Sequence, residues 1–590
     1  MNESLGSVDA GHGHFDTDVL VVGAGPMGAS TALALATYGV RVRVITRYPW
    51  LSNSPRAHIT NQRAMEVARD LGIEEELKQY GSEWDVMGDT LFTTSLAGEE
   101  IARIRTWGTG DARRGDYLAQ SPTSMLDLPQ PLLEGVLIRN AGERGAVISF
   151  NTDYRSHTQD EHGVTTVLVD RLTGREYAVR SKYLVGADGA RSKIVEELGL
   201  PLEGELGRGN TAYVQFKADL SRYVAHRPSV LYWIASSSTT FGEIGMGLLR
   251  MVRPWDHWIA GWGYDPAEGE PEFSDEAVTN RIRTLIGDPD FEIEIGPKST
   301  WLVNRAHVSQ YSLGRVFCGG DAVHRHPPSG GLGSNTCVQD AFNLAWKLAY
   351  VIRGEAGPEL LGSYSDERVP VGQHIVKRAN ESRIQFAAFN DVIRGEDPER
   401  DPIETVRATD AAGAAARSAL HAALELKNYE FNGHGVESNQ RYTSSAVIPD
   451  ENTGPEEWSR DGELYAQPTT RPGAKLPHVW LVSTAGTRVS TLDLVGHGMF
   501  TLVTGLSGAA WAKALSQLKL PFLNPLVIGS EGARDLYGDW HRRSEISEAG
   551  ALLVRPDGYV AWRQTTDEYD EESALKTLRS VLQSVLGKEF

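Results

Sequence analysis

The sequence predicts an α/β protein in which a parallel βαβ unit is interrupted by a mostly antiparallel sheet and followed by a separate C-terminal unit. Three observations carry this reading. A continuous apolar run, Asp18 to Val22, passes through a glycine turn into a helix from about Pro26 to Thr37 and a second run at about 41–46. Strands buried on both faces read as unbroken apolar runs, whereas half-exposed strands alternate. Two more short runs, Tyr183–Val185 and Gly314–Cys318, end in the glycine-rich turns GADGARS and GGDAVHRHPP. Residues 193–297 are rich in aromatics and alternating stretches, including Leu231-Tyr232-Trp233 and Trp255 to Tyr264, as an antiparallel sheet should be.

The remaining elements follow in order. After the third strand, Val338, Ala341, Leu344, Ala345, Leu348, Ala349 and Ile352 recur at helical spacing. The helix is expected to start near Asn335 as N-cap and to stop at Gly354. The charged, proline-containing tract 390–405 reads as a linker and the alanine-rich stretch 408–425 as helix. The last 160 residues or so begin a new unit. It ends in a strand segment at 551–562, turned at Pro556-Asp557-Gly558, and a terminal helix.

Composition bounds the function. At 590 residues the chain has room for about three or four domains. With 41% hydrophobic and 23% charged residues it is a globular chain and not a disordered one. Asp and Glu number 78 against 58 Lys and Arg, a formal charge of −20. That excess is a poor match for nucleic acid or an anionic membrane surface. Cys318 and Cys337 are too few for a disulfide framework and lack metal-ligand spacing. The first sixteen residues have no signal-peptide pattern, and glycines and Pro26 break up the apolar stretch Val19–Val40. A cytoplasmic protein is expected.

Gly23-Ala24-Gly25-Pro26-Met27-Gly28 lies between strand and helix, where a G-x-G-x-x-G turn lets backbone approach a pyrophosphate at a helix N-terminus. The second strand ends Ile45-Thr46-Arg47, without the acidic residue that usually holds a ribose hydroxyl. Arg47 is left to meet either a phosphate or the adenine face. Asp188 and Asp321, each beside glycine at a strand end, can accept from ribose or ribityl hydroxyls or simply cap their turns.

Taken together, the glycine fingerprint, the Asp188-Gly189 segment and the Gly320-Asp321 segment resemble those of the class A flavin-dependent aromatic hydroxylases. The strings PRAHITNQRAMEVARDLG, TSLAGEE, DLPQ, LRMVRPW, GDAVHRHPPSGGLGSNTCVQDAFNLAWKLA and NGHGVESNQRY are similar to its phenol hydroxylase group, and the likeness runs from about Asp18 to Leu586. The resemblance implies a Rossmann-like FAD-binding domain at 16–192 and 298–405, with an excursion near 84–111 into the substrate domain. It also implies an inserted substrate sheet at 193–297, a helical linker at 406–429 and a thioredoxin-like domain at 430–590 without redox cysteines.

The implied cofactor is FAD, with NADH or NADPH as electron donor and dioxygen as co-substrate. FAD is expected at Gly23, Gly25 and Gly28, at Arg47, Arg56 and Gln130, at Asp188 and Gly189, and at Asp321. Pro328, Gly331, Leu332, Gly333 and Asn335 complete that set. Amides of the Gly330–Gly333 run can stabilise negative charge on the flavin. The implied reaction is ortho-hydroxylation of a phenol through a flavin C4a-hydroperoxide, since no side chain activates dioxygen for ring oxidation.

A phenol has a pKa of about 10, so a base or cation beside it is useful. His58 is nominated as base or hydrogen-bond partner, with Arg56 orienting flavin or substrate. Arg250 and Arg253 are candidates for nicotinamide contact or flavin movement, or are solvated arginines of the sheet. Asp127 belongs to the pocket wall or caps a turn. Trp233 and Pro328 are placed in the substrate pocket, and Trp255, Trp258 and Trp262 line a pocket or pack the core.

No metal is expected, because His324 and His326 have no acidic partner nearby in sequence. The partner is a small phenolic molecule, with a homo-oligomer also expected from the resemblance. The runner-up is the same chemistry on a polycyclic polyketide, by hydroxylation or Baeyer–Villiger insertion. A halogenase lacks support, since Trp255-Asp256-His257-Trp258-Ile259 has neither the spacing nor the proline of its motif. A non-catalytic flavin binder is disfavoured by the intact glycine segments.

Overall fold

β1 (Thr17–Val22) is buried at every residue, as its unbroken apolar sequence requires. It continues through the glycine turn into α1 (Pro26–Thr37), which has proline at its first position and is buried on nearly every face. β1 pairs in parallel with β2 (Val42–Ile45) on one side and β3 (Glu176–Gly186) on the other, and β3 pairs in parallel with β4 (Val316–Cys318). Ser312–Leu313 and Val147–Ser149 close the two ends of this row, and the hairpin Thr152–Gln159 with Val164–Asp170 extends from β3. The computed structural model describes residues 14–590 except 236–244, 265–268, 270, 395–401 and 451–452.

Parallel pairing brings the three glycine turns to one edge. The Gly23 amide donates to Ile45 O (2.9 Å), that of Ala187 to Val22 O (2.9 Å) and that of Gly319 to Gly186 O (3.1 Å). Behind them runs α2 (Leu332–Arg353), packed on α1. It begins four residues earlier than the spacing predicts, with Gly331 rather than Asn335 as N-cap, at φ +63°. Asn335 is therefore inside the helix. Its amide holds neighbouring backbone instead, donating to Ile59 O (2.8 Å) and Gly331 O (2.7 Å) while accepting from Asn61 N–H (2.9 Å).

The second sheet runs in the order His324–Arg325, Glu294–Val308, Leu202–Lys217, His257–Tyr264, Gly247–Arg253, Leu231–Ile234, Asp89–Thr93 and Glu100–Arg105. Its pairings are antiparallel except that of Leu231–Ile234 with Asp89–Thr93. It runs past the expected limit at 297, because Glu294–Val308 pairs along the length of Leu202–Lys217, up to Leu202 opposite Val308. Side chains alternate across a strand, so the register sorts them by face. Ala212, Val214, Phe216, Tyr232, Leu249, Met251, Trp258, Ala260 and Trp262 fill one buried core with the helix Asp275–Ile286. Tyr213, Gln215, Trp233, Leu248 and Arg250 occupy the other face.

The alanine-rich helix spans Ala411–Phe431 and is no free connector, since Leu420, Ala423 and Phe431 are buried in the substrate-sheet core. Much of the expected linker at 390–405 lies outside the described residues. In the C-terminal unit, Phe500–Thr504 and Leu523–Val527 are parallel across the helix Ala509–Leu518. Ala551–Val554 and Val560–Gln564 form a hairpin before the helix Glu571–Leu586. This βαβ–ββα order is the thioredoxin-like layout. Trp511, Trp562, Leu578 and Leu582 share one continuous apolar core with β1, α1 and α2. Among the described residues no helix is long and apolar enough to cross a membrane.

Candidate active site

The glycines of the first turn are not equivalent. A Cβ on Gly23, at φ +112°, would lie 2.0 Å from Ala187 O, and one on Gly28 would lie 1.9 Å from Gly23 O. Those two close the turn against neighbouring backbone. Gly25 caps α1 in extended conformation, and a Cβ there meets nothing nearer than Glu134 Oε1 at 4.0 Å. The first turn of α1 has no acidic residue and no side-chain cap, so its amides stand free beside an open cradle. That is what a pyrophosphate needs.

Asp188 spends one oxygen on its own turn, Oδ2 accepting from Lys193 N–H (2.8 Å) and Ile194 N–H (3.4 Å). Its Oδ1 is buried without a partner among the described residues, and burial raises its pKa. Asp321 is exposed on the short turn Gly320–Ala322 that ends β4. At the end of β2, Arg47 lies 5.2 Å over the Tyr48 ring and Trp50 stacks on Phe150 at 5.0 Å. Tyr48 and Trp50 are 55% and 65% exposed, so apolar ring surface stands where the usual acidic residue is missing. The open cradle, the orphaned Asp188 oxygen and the exposed Asp321 carboxylate lie at adjacent strand ends, and this donor and acceptor set fits a dinucleotide such as FAD.

The loop before α2 reaches the same edge. Gly331 packs so tightly on Ile59 that a Cβ would lie 2.8 Å from the Ile59 Cβ, and Gly333 faces the His326 ring. Leu332 is buried and Pro328 is exposed at the loop's rim. Gly189 is open, at φ +79°. The Gln130 amide donates to Ala57 O (2.8 Å), and its side chain to Glu134 Oε1 (2.7 Å), so DLPQ is fastened to the Arg56–His58 segment.

The most unusual chemistry is at His58. Ile59–Thr60 pairs antiparallel with Leu126–Asp127, and this two-residue ladder sets His58 Nδ1 2.5 Å from Asp127 Oδ1. Asp127 is fully buried and its Oδ2 has no partner among the described residues. Arg250 is also buried; Nη1 donates to Pro55 O, while Nε and Nη2 have no partner among the described residues. Burial, then the Arg250 charge, pull His58 down to about 4 against the opposing pull of Asp127. His58 is therefore neutral near pH 7, with Nδ1–H donating to Asp127 and Nε2 an acceptor. Burial likewise draws Arg250 down to about 10, still cationic at pH 7.

Tyr213, Trp233 and Leu248 stand on the same sheet face as Arg250. Gly261 opposes Tyr213, whose ring occupies the space of the missing side chain. Trp233 packs on Phe386 at 4.7 Å, and its indole N–H is buried without a partner among the described residues. Trp258 and Trp262 are core residues on the opposite face. Arg253 is exposed and paired with Asp256 (2.7 Å), away from this group, and Arg56 is exposed beside His58. His324 Nε2 meets Asp340 (2.9 Å), and no group of three His, Cys, Asp or Glu that could hold a metal occurs among the described residues.

Asn61, Glu134, Asp340 and Glu437 are among the buried polar residues that the sequence does not single out. Three sit inside strings quoted for the resemblance, yet only contact distances reveal what they hold. Asn61 caps the helix Gln62–Asp70 (Ala64 N–H to Oδ1, 2.9 Å) and bonds Glu437, while Gln62 meets His434 (3.0 Å).

The family model for an FAD binding domain matches residues 16–379, and that for the C-terminal part of aromatic-ring hydroxylases matches 469–588. The chain is 47% identical over 584 residues to 2,4-dichlorophenol 6-monooxygenase of Cupriavidus pinatubonensis, covering 97% of each. It is 43% identical over 571 residues to phenol 2-monooxygenase of a Pseudomonas species, covering 95% of this chain and 92% of that one. The crystal structure of the flavin-dependent monooxygenase PieE with FAD and substrate superposes with a TM-score of 0.92 at 41% identity, over 97% of this chain and 100% of that one. Sequence likeness over nearly the full length and a strand edge that fits a dinucleotide converge on one assignment: the chain belongs to the FAD-dependent aromatic-ring hydroxylases.

Proposed function

We propose that this enzyme hydroxylates a substituted phenol ortho to its hydroxyl group, giving a catechol, with NADH or NADPH as electron donor. The observation that carries the reading is the neutral His58 hydrogen-bonded to Asp127, beside a buried arginine with two nitrogens unsatisfied among the described residues. Ring hydroxylation needs an electron-rich ring, and a phenolate serves far better than a phenol. When bound, FAD supplies the activation of dioxygen and delivers one oxygen atom. Gly23, Gly25, Gly28, Arg47, Gln130, Asp188 and Asp321 would hold it, with Gly331–Gly333 at the α2 N-terminus.

The chain's own groups prepare the substrate. His58 Nε2 accepts the phenol hydroxyl hydrogen bond and Arg250 faces the charge that develops. From about 4 to about 10 is roughly six pKa units, or about 8 kcal/mol against full transfer from phenol to His58. Arg250 changes that balance. Its charge is one of the causes that depress His58, and a phenolate beside it neutralises the effect while Asp127 steadies the imidazolium. Tyr213, Trp233 and Leu248 keep water from the ring, and Arg56 orients it at the mouth. The two curated relatives named above act on single-ring phenols, which favours that class over a polycyclic polyketide.

The test is NAD(P)H oxidation by the purified flavoprotein across phenols from chlorophenols to 2-phenylphenol, with catechol and hydrogen peroxide measured separately. Catechol formed in step with NAD(P)H loss is the expected result. Oxidation that no phenol stimulates would overturn the substrate class.

A further inference from the structure

The Gly320–Ala322 turn is held from behind by a chain of buried polar groups that leads away from the flavin edge. Asp340 lies on α2 with no exposed surface. Its Oδ2 accepts from Gly320 N–H (3.0 Å) and His324 Nε2–H (2.9 Å), and its Oδ1 from Arg368 Nε–H (2.7 Å). Arg368, equally buried, donates through Nη1 to Gln440 Oε1 (2.8 Å) and to the Tyr442 hydroxyl (2.9 Å). Gln440 is braced by Gln339, next to Asp340 (2.6 Å), and Tyr442 stacks at 4.2 Å on Tyr559 of the C-terminal hairpin.

We infer that Asp340 is a positioning residue for the flavin-binding turn, and that Arg368 ties this position through Gln440 and Tyr442 to the C-terminal hairpin. Gly320 sits at φ +64° directly before Asp321, packed so closely on α2 that a Cβ would lie 2.9 Å from Cys337 Sγ, and its amide is fixed by Asp340. A shift of the hairpin is thus passed by three successive hydrogen bonds to the backbone that presents Asp321. Burial opposes ionisation of Asp340, yet the Arg368 charge and the His324 bond hold its pKa below the ordinary carboxylate value, so the bracket is ionic at neutral pH.

The inference rests on FAD lying along this turn, so an Asp321→Ala control accompanies the test. FAD is stripped from purified holoenzyme and titrated back, with flavin fluorescence reporting affinity, the bound absorbance spectrum reporting environment, and Tm of the apoprotein reporting stability. Hydrogen bonds to charged groups predict roughly ten- to hundredfold weaker FAD binding in Asp340→Asn, with a shifted spectrum. Gln440→Leu with Tyr442→Phe, both remote from the flavin edge, should weaken binding about threefold or more. If Asp340→Asn does not fold, this double variant decides alone. A lowered apoprotein Tm with unchanged FAD affinity and spectrum would reduce the bracket to a structural brace and overturn the inference. Unchanged affinity in Asp321→Ala would remove the turn itself from the flavin site.

Discussion

Replacing His58 with alanine removes the Nε2 acceptor and leaves Asp127 and Arg250 in place. The variant must then draw phenolate from solution. At pH 7 a phenol of pKa about 10 is ionised to roughly one part in a thousand, and one about two units more acidic to roughly one part in ten. The deficit in kcat/KM should therefore be on the order of 100- to 1000-fold for the weaker acid, the range of general base catalysis, and nearer tenfold for the stronger. Raising the pH to 9 should recover most of the loss for the weaker acid. The intact enzyme should show no such slope, because His58 titrates at about 4 and stays an acceptor throughout this window. The assay is initial catechol formation over pH 6–9 with at least two phenols of different acidity, corrected for hydrogen peroxide. A loss of the same size for every phenol, or one independent of pH, would mean that His58 only packs the turn.

Gly25→Glu should give folded but colourless protein, since the side chain enters an open cradle; Gly28→Ala should fail to fold, with its Cβ 1.9 Å from a carbonyl oxygen. Yellow Gly25→Glu protein would remove the pyrophosphate from this turn. Glu437 is buried and pushed up to about 8, so folding retains a proton that the unfolded chain has lost above about 4.5. Stability then falls as pH rises between those values, by about 1.4 kcal/mol per unit, and Glu437→Gln should be free of this loss. A Tm difference between the two proteins that is constant from pH 5 to 8 would refute it. Deleting residues 430–590 should yield insoluble protein, because Glu367 loses Arg555 and the apolar core loses Trp511, Trp562 and Leu578; a folded, soluble remainder would contradict this.

Much of the fold was legible because its signals are local. β1 and the glycine turn announce themselves in consecutive residues, and the same holds for the 551–562 hairpin and its Pro556-Asp557-Gly558 turn. The start of α2 was misplaced for a physical reason. Asn335 is an excellent cap by residue type, but Gly331 can enter the left-handed region and pack against Ile59, and tertiary contact overrode the preference. The limit of the substrate sheet was missed because strand length is set by the partner Leu202–Lys217, far away in sequence. His58 and Asp127 are each candidates in the sequence, but separately. Nothing in the sequence places residues 69 positions apart within 2.5 Å; only the pairing of Ile59 with Asp127 does so.

The buried charges at the seam between the FAD-binding unit and the C-terminal unit bear on why a thioredoxin-like domain without redox cysteines is present. Glu367 accepts from Arg555, Lys347 (2.8 Å), Asn343 (2.6 Å) and Ser444 (2.6 Å), and Asp557 accepts from Arg555 and Trp346 (3.1 Å). Lys475 reaches across to Glu66 (2.6 Å), and Arg63 to Asp557 O (2.7 Å). Such pairs contribute little net stability, since desolvation offsets their attraction; burial still pulls Lys347 down to about 8. Stranding one member costs about 3–5 kcal/mol, so a displaced hairpin would meet several such penalties at once. An apolar seam would hold the domain as firmly but could slide. The ionic seam fixes its register, and the path through Tyr442, Arg368 and Asp340 gives that register a consequence at the turn carrying Asp321.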